Sequence, residues 1–228
     1  MNQQSKRADV GSTRLVATLA FAGFLSGLII VSVYEATLPT ITTYKAKVLR
    51  EAVFKVLPGT VSLQRLVYRN GKLTADEQAE QEEESIFVGY DKTGQLVGYA
   101  MPGAGPGFQD IIRLLYGYLP AQRRVVGMEI LESRETPGLG DKIYKDAEFV
   151  ANFDALSVDP EIVAVKKGRK TGPNQVDAIT GATISSKAVV RIINEANGRW
   201  LPRLEAGQNP VNDLTLKSMQ DMEQDHER

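Results

Sequence analysis

Residues 15–34 read LVATLAFAGFLSGLIIVSVY, an uncharged run dominated by apolar side chains. As a helix it would rise about 30 Å, the thickness of a bilayer's hydrocarbon core. Ala22, Gly23, Ser26 and Gly27 are small enough to let a partner helix approach closely. A secretory signal is the competing reading, but its apolar core is usually shorter and ends in a small-residue cleavage site. Neither condition is well met, so the segment reads as a retained membrane anchor. Lys6, Arg7 and Arg14 precede it, and no Lys or Arg follows until Lys45. The excess of positive charge on that side predicts a cytoplasmic segment 1–14 and a translocated remainder.

Working outward, residues 35–59 predict a helical connector. Its helix begins at Pro39, carries Ile41, Val48, Ala52, Val53 and Val56 roughly on one face, and stops at Pro58-Gly59. Residues 60–202 then read as one domain. Alternating or β-branched runs predict strands at 61–68, 86–90, 96–101, 110–118, 124–131 and 162–165, with a hairpin around Lys92-Thr93-Gly94. The acidic stretch 76–84 reads as a solvated connector, and 103–107 as a glycine-rich loop. A short helix is predicted over 146–153 and a strong one over 185–197. Residues 203–228 form a polar tail, expected to be flexible. The fold class is α+β: an antiparallel sheet with packed helices, tethered by one N-terminal transmembrane helix.

Composition removes several function classes. The 228 residues carry a formal charge of −1, which gives no basis for a nucleic-acid partner. There is no cysteine, so thiol chemistry and iron–sulfur ligation within the chain are excluded. The single histidine, His226, lies in the charged tail, which argues against a histidine metal site or a Ser-His-Asp triad.

Two short segments carry the chemistry. Residues 177–183 read DAITGAT and lead directly into ISSKAVV. Gly181 permits a tight turn and the approach of a bulky group. Thr183 places a hydroxyl immediately before a helix, with Ser185 or Ser186 as its N-cap. Free N–H groups and the helix dipole there favour an anionic phosphate. An ordinary helix cap with a glycine turn would give the same local pattern. Residues 135–140 read ETPGLG. Pro137 stiffens the turn, Gly138 and Gly140 permit close approach, Leu139 offers an apolar surface, and Thr136 a hydrogen-bonding edge. Alone, this is equally a Pro-Gly turn between elements. GAGPGF at 103–108 has the look of a phosphate-cradling loop but does not open a helix after a strand, and reads as a turn. The basic run 166–170 is a solvated turn or a cation source beside a ligand. Tyr116, Tyr118 and Trp200 read as core or interface aromatics.

Together the two segments resemble the FMN-binding domains of the G subunit of the Rnf electron-transport complex and the C subunit of the sodium-translocating NADH:quinone reductase. In that family the last threonine of a D-x-x-[ST]-G-A-T pattern carries FMN through a phosphoester bond, made from FAD by a flavin transferase. The resemblance implies that Thr183 is the attachment residue, with Asp177, Thr180, Gly181 and Ala182 shaping the recognised loop. It further implies that Glu135, Thr136, Gly138, Leu139 and Gly140 lie against the flavin. The family often has a histidine shortly before this glutamate, where this chain has Ser133-Arg134. The implied protein is an electron-relay subunit in an ion-translocating ferredoxin:NAD oxidoreductase of a bacterial inner membrane. Its partners would be the other membrane subunits, and its FMN domain would lie on the periplasmic side. The shortness of the chain favours the G subunit over the C subunit; a non-redox membrane scaffold is the reading from another class.

Overall fold

The computed structural model describes residues 12–76, 78–79 and 83–206. The expectations for Lys6, Arg7 and residues 207–228 lie outside them. The chain divides into two compact units between Lys47 and Val48.

Helix α1 runs over Ser12–Val56 without a break. Its most apolar 18-residue window has a mean hydropathy of 2.3, and none of that window is buried, which fits a single-pass membrane anchor. The helix was expected to start afresh at Pro39, but Pro39 lies inside it. A proline cannot donate a hydrogen bond and crowds the preceding turn. Here threonine hydroxyls bond back onto the carbonyls around it: Thr37 to Val33 and Tyr34, and Thr42 and Thr43 to Pro39.

In the second unit a seven-stranded antiparallel sheet is built from β1 (Ser62–Arg69), β2 (Lys72–Ala75), β3 (Ser85–Tyr90), β4 (Leu96–Pro106), β5 (Ile111–Leu119), β6 (Arg124–Glu132) and β7 (Leu156–Ser157). Their order is β2-β1-β3-β4-β5-β6-β7. Two short helices, α2 (Lys142–Lys145) and α3 (Ala147–Ala151), follow β6. A second, two-stranded sheet pairs β8 (Val163–Lys166) with β9 (Gln175–Ala178) in parallel. Helix α4 (Thr183–Ala206) closes the fold.

Alternation along the strands divides the core between the two sheet faces. Leu66, Met101, Leu114 and Tyr116 pack with Val189, Ile192, Ile193, Ala196 and Trp200 of α4. Ala100 and Leu115 point the other way, into a cluster with Ala52, Val53, Val56 and Leu57 at the end of α1 and just beyond it. That end of the helix lies in a trough of small residues. A side chain at Gly117 would run into the Val56 carbonyl, and one at Gly127 would sit 2.9 Å from the Val56 Cα.

Three expectations change. Residues 103–106 are strand, not loop, and pair with β5. The glycines there serve packing: a Cβ at Gly103 or Gly105 would lie 2.8 Å from an Ile192 side-chain carbon. The last helix begins two residues earlier than expected and runs through Pro202 to Ala206. Its final turns are held by tertiary contacts. Trp200 is buried, and the Arg203 guanidinium lies 4.0 Å from the centre of the Tyr68 ring while bonding Glu84 at 2.7 Å. The acidic stretch, finally, is not merely solvated. Asp76 and Glu83 both bond Arg69, and Glu84 bonds Arg203.

Candidate functional site

Thr183 is the first residue of α4, and it is exposed. The turn before it is closed by the Ala182 N–H donating to the Ile179 carbonyl at 3.0 Å. Gly181 has φ +85°, a left-handed conformation that glycine adopts without strain. Neither serine is the N-cap that was expected, since both lie within the helix. Ser186 is fully buried; its hydroxyl accepts the Ile179 N–H at 3.0 Å and donates to the Ala182 carbonyl at 2.9 Å. Ser185 is also buried, and its hydroxyl donates to Glu135.

Glu135 is the meeting point of three segments. It is 5% exposed. One carboxylate oxygen, Oε1, accepts the Phe108 and Gln109 N–H groups, each at 2.9 Å, and Oε2 accepts the Ser185 hydroxyl. A carboxylate taken out of water needs this number of donors. Gly107 and Gly140 leave room for it. A Cβ at Gly140 would lie 2.7 Å from Oε2 and 3.0 Å from the Ser185 hydroxyl, and one at Gly107 would strike Oε1.

The tip of the 135–140 loop projects outward. Gly138 has φ +77°, and the Leu139 N–H donates to the Thr136 carbonyl at 3.2 Å. The Thr136 hydroxyl donates to the Gln109 side chain at 3.0 Å. Leu139 is 50% exposed and stands beside Gly181: a Cβ built there would be 3.7 Å from Leu139 Cδ2. Phe108 and Ile184 are 63% and 59% exposed. After the loop, Asp141 is buried and accepts from Lys145 at 2.6 Å. The Lys145 ammonium holds the Asp141 carboxyl below the usual carboxylate range, and Asp141 in turn raises Lys145.

The structure therefore brings Glu135, Thr136, Gly138, Leu139 and Gly140 together with Gly181, Ala182 and Thr183. Thr180 is exposed on the same turn. Asp177 is placed otherwise. It lies in β9, where its carboxylate accepts the Arg169 N–H at 3.3 Å and its own N–H donates to Asn152 at 3.1 Å. The basic run turns toward α3 as well: Lys167 pairs with Glu148 at 2.8 Å. Phe108, Gln109 and Ser185 were missed as participants. A large apolar residue directly after a glycine-rich run was the available signal for Phe108; Ser185 was marked only as a helix cap, and nothing local marked Gln109.

An exposed threonine at a helix N-terminus, with exposed Ile184 next to it and exposed Leu139 beside the preceding glycine, suits a phosphate ester with a flat aromatic body beside it. Residues 107–197 match the FMN-binding domain family. Two solved structures have a similar fold: the C subunit of the Na(+)-translocating NADH-quinone reductase from Parabacteroides distasonis, and NqrC from Shewanella oneidensis. The first has a TM-score of 0.58 at 21% identity, covering 74% of this chain and 97% of that one. The second has 0.55 at 18%, covering 73% and 100%. Closer in sequence are the G subunit of the Na(+)-translocating ferredoxin:NAD(+) oxidoreductase complex of Acetobacterium woodii and its proton-translocating counterpart of Clostridium ljungdahlii. The former is 32% identical over 61% of this chain and 68% of its own length. The latter is 31% identical over 80% and 88%. The G subunit of the ion-translocating oxidoreductase complex of Methanosarcina acetivorans is 28% identical over 81% and 92%. With identities above 30% across more than two thirds of such relatives, this chain belongs to the family of G subunits of ion-translocating oxidoreductase complexes.

Proposed function

We propose that the protein is the membrane-anchored flavin carrier of an Rnf-type ferredoxin:NAD oxidoreductase that translocates ions, with FMN bound covalently to Thr183. The observation that carries the reading is the exposed Thr183 at the start of α4, on a glycine turn that stands beside the exposed Leu139. The first turn of α4 turns unsatisfied N–H groups toward a phosphate on that oxygen. Leu139, Phe108 and Ile184 offer apolar surface to an isoalloxazine, and the 135–140 loop keeps water from one side of it. FMN supplies one- and two-electron chemistry; this chain's residues hold and orient it. Asp177 and Thr180 act on the shape of the loop that a flavin transferase recognises. In that maturation the Thr183 oxygen displaces AMP from FAD and gives up its proton, leaving a phosphoester.

The other membrane subunits of the complex are the partners, reached through a single-pass anchor over residues 15–34 with a connector over 35–59, an FMN domain over 60–202 and a tail beyond. Arg14, with the charges before it, favours a cytoplasmic N-terminus and an FMN domain outside the cytoplasm. Protease added to intact spheroplasts should then digest the domain; digestion only after the membrane is opened would reverse the orientation.

Protein purified from its own host should stay yellow after denaturation and carry added mass on the peptide containing Thr183. Thr183→Val keeps the β-branched shape and removes only the hydroxyl, so denaturation-resistant flavin should disappear while the subunit still inserts. Persistent covalent FMN in that variant would mean another attachment residue. A colourless, unmodified wild type would favour a scaffold instead.

A further inference from the structure

We propose that Glu135 is a positioning residue rather than a flavin contact: its buried carboxylate clasps the turn at 107–109 to the first turn of α4, and so sets where Thr183 stands. This rests on the reading of Thr183 as the attachment residue. The resemblance put Glu135 against the flavin, but neither of its oxygens faces outward to meet one. Oε1 is taken by the Phe108 and Gln109 N–H groups and Oε2 by the Ser185 hydroxyl, two residues beyond Thr183 on the same helical turn.

The surrounding sequence is fitted to this clasp. Gly107 and Gly140 lie so close to the carboxylate that a Cβ at either would collide with it. At the far end of the loop Asp141 is 4% exposed and bonds Lys145 four residues on. Only the Pro137–Gly138–Leu139 tip is left exposed. A loop held at its Glu135 end presents Leu139 beside Gly181. Two exposed apolar residues are tied to the same carboxylate, Phe108 by its own N–H and Ile184 by its neighbour Ser185.

The test compares Glu135→Gln and Ser185→Ala with the wild-type full chain, each in the native and the Thr183→Val background. Three quantities are read: the rate of FMN attachment from FAD by the flavin transferase, the melting temperature, and amide exchange over residues 107–110 and 183–187. Thr183→Val is flavin-free, so exchange in that background reports the clasp alone. Both variants should slow attachment by about tenfold to a hundredfold, as misplacement of a reacting group by an ångström does. In the flavin-free background, Ser185→Ala should also speed exchange at 107–110, a segment it does not touch. A purely structural role would lower the melting temperature and leave attachment by the folded fraction unchanged. Should Glu135→Gln fail to fold, Ser185→Ala, which removes one bond of three, carries the test. Attachment at the wild-type rate in Ser185→Ala, with exchange at 107–110 unmoved, overturns the clasp. So does a Glu135→Gln protein that loads normally but shifts the flavin absorption, because that marks a direct contact. If the wild type carries no flavin, the reading of Thr183 fails, while the exchange measurement still decides whether the clasp exists.

Discussion

Gly117→Ala should loosen the domain's hold on the end of α1. The added methyl would point from β5 into the Val56 carbonyl, which is backbone and cannot rotate away. Relief requires the last turn of α1 to retreat by on the order of an ångström, in an interior packed too tightly to absorb it. Overpacking of this kind costs about 1–3 kcal/mol. Val53, Val56 and Leu57 are all fully buried, and exposing each completely would cost about 1.5–3 kcal/mol. A backbone clash belongs at the upper end of the overpacking range, near 3 kcal/mol, well short of complete undocking. At about 2–4 °C per kcal/mol for a domain of this size, the melting temperature should fall by about 6–12 °C. The assay is thermal unfolding of the detergent-solubilised full chain by circular dichroism. Gly94→Ala is the control: it meets open space, but at φ +77° it should cost about 1–2 kcal/mol from backbone strain alone. If Gly117→Ala melts within about 2 °C of wild type, or no lower than the control, the trough does not hold the helix as described.

Leu139→Ala should leave covalent flavin intact, since Thr183 is untouched, but alter its fluorescence or reduction potential; no change in either would make the loop tip a bystander. Tyr116→Phe removes the hydroxyl that donates to Asn197 at 2.8 Å in the buried seam between β5 and α4. The stranded amide should cost about 1–3 kcal/mol, read as a lower midpoint in urea unfolding, and an unchanged midpoint would refute the pairing. The depressed Asp141 carboxyl, facing Lys145 with Lys142 near, stabilises the folded state above the ordinary value of 3.8. That stabilisation is lost as pH falls through the lower folded value. The melting-temperature gap between wild type and Asp141→Asn should therefore hold steady from neutral pH to about 5 and close in stronger acid. A gap that closes near neutrality would implicate another group.

The apolar anchor, most strands and the glycine turns at 138 and 181 were legible along the chain because each rests on local chemistry. Residues 15–34 need only length and the absence of charge, and the longer strands of the large sheet announce themselves by alternation, whereas the short β2 and β7 do not. Gly181 and Gly138 were flagged as turn residues, and both have positive φ. What the chain order hides is which segments meet. Glu135 reads only as the first residue of a Pro-Gly turn, and its burial appears only when residues 107–109 and 185 arrive from 26 or more positions away. Asp177 belongs to a sequence motif with Thr183, yet strand pairing carries it toward Arg169 and Asn152. The glycines at 103 and 105 read as a loop because glycine favours turns. Tertiary packing made them strand, since α4 needs a flat floor there for Ile192. The parallel pairing of β8 with β9 and the extension of α4 through Pro202 follow the same rule. By itself the sequence determined most of the elements, the apolar anchor and the tight glycine turns, because propensity, periodicity and chirality act over a few residues. Only the tertiary structure decided which carboxylate is buried, which glycine yields to which side chain and which apolar residues remain exposed around Thr183, because burial and close contact belong to pairs of segments and are written in neither one alone.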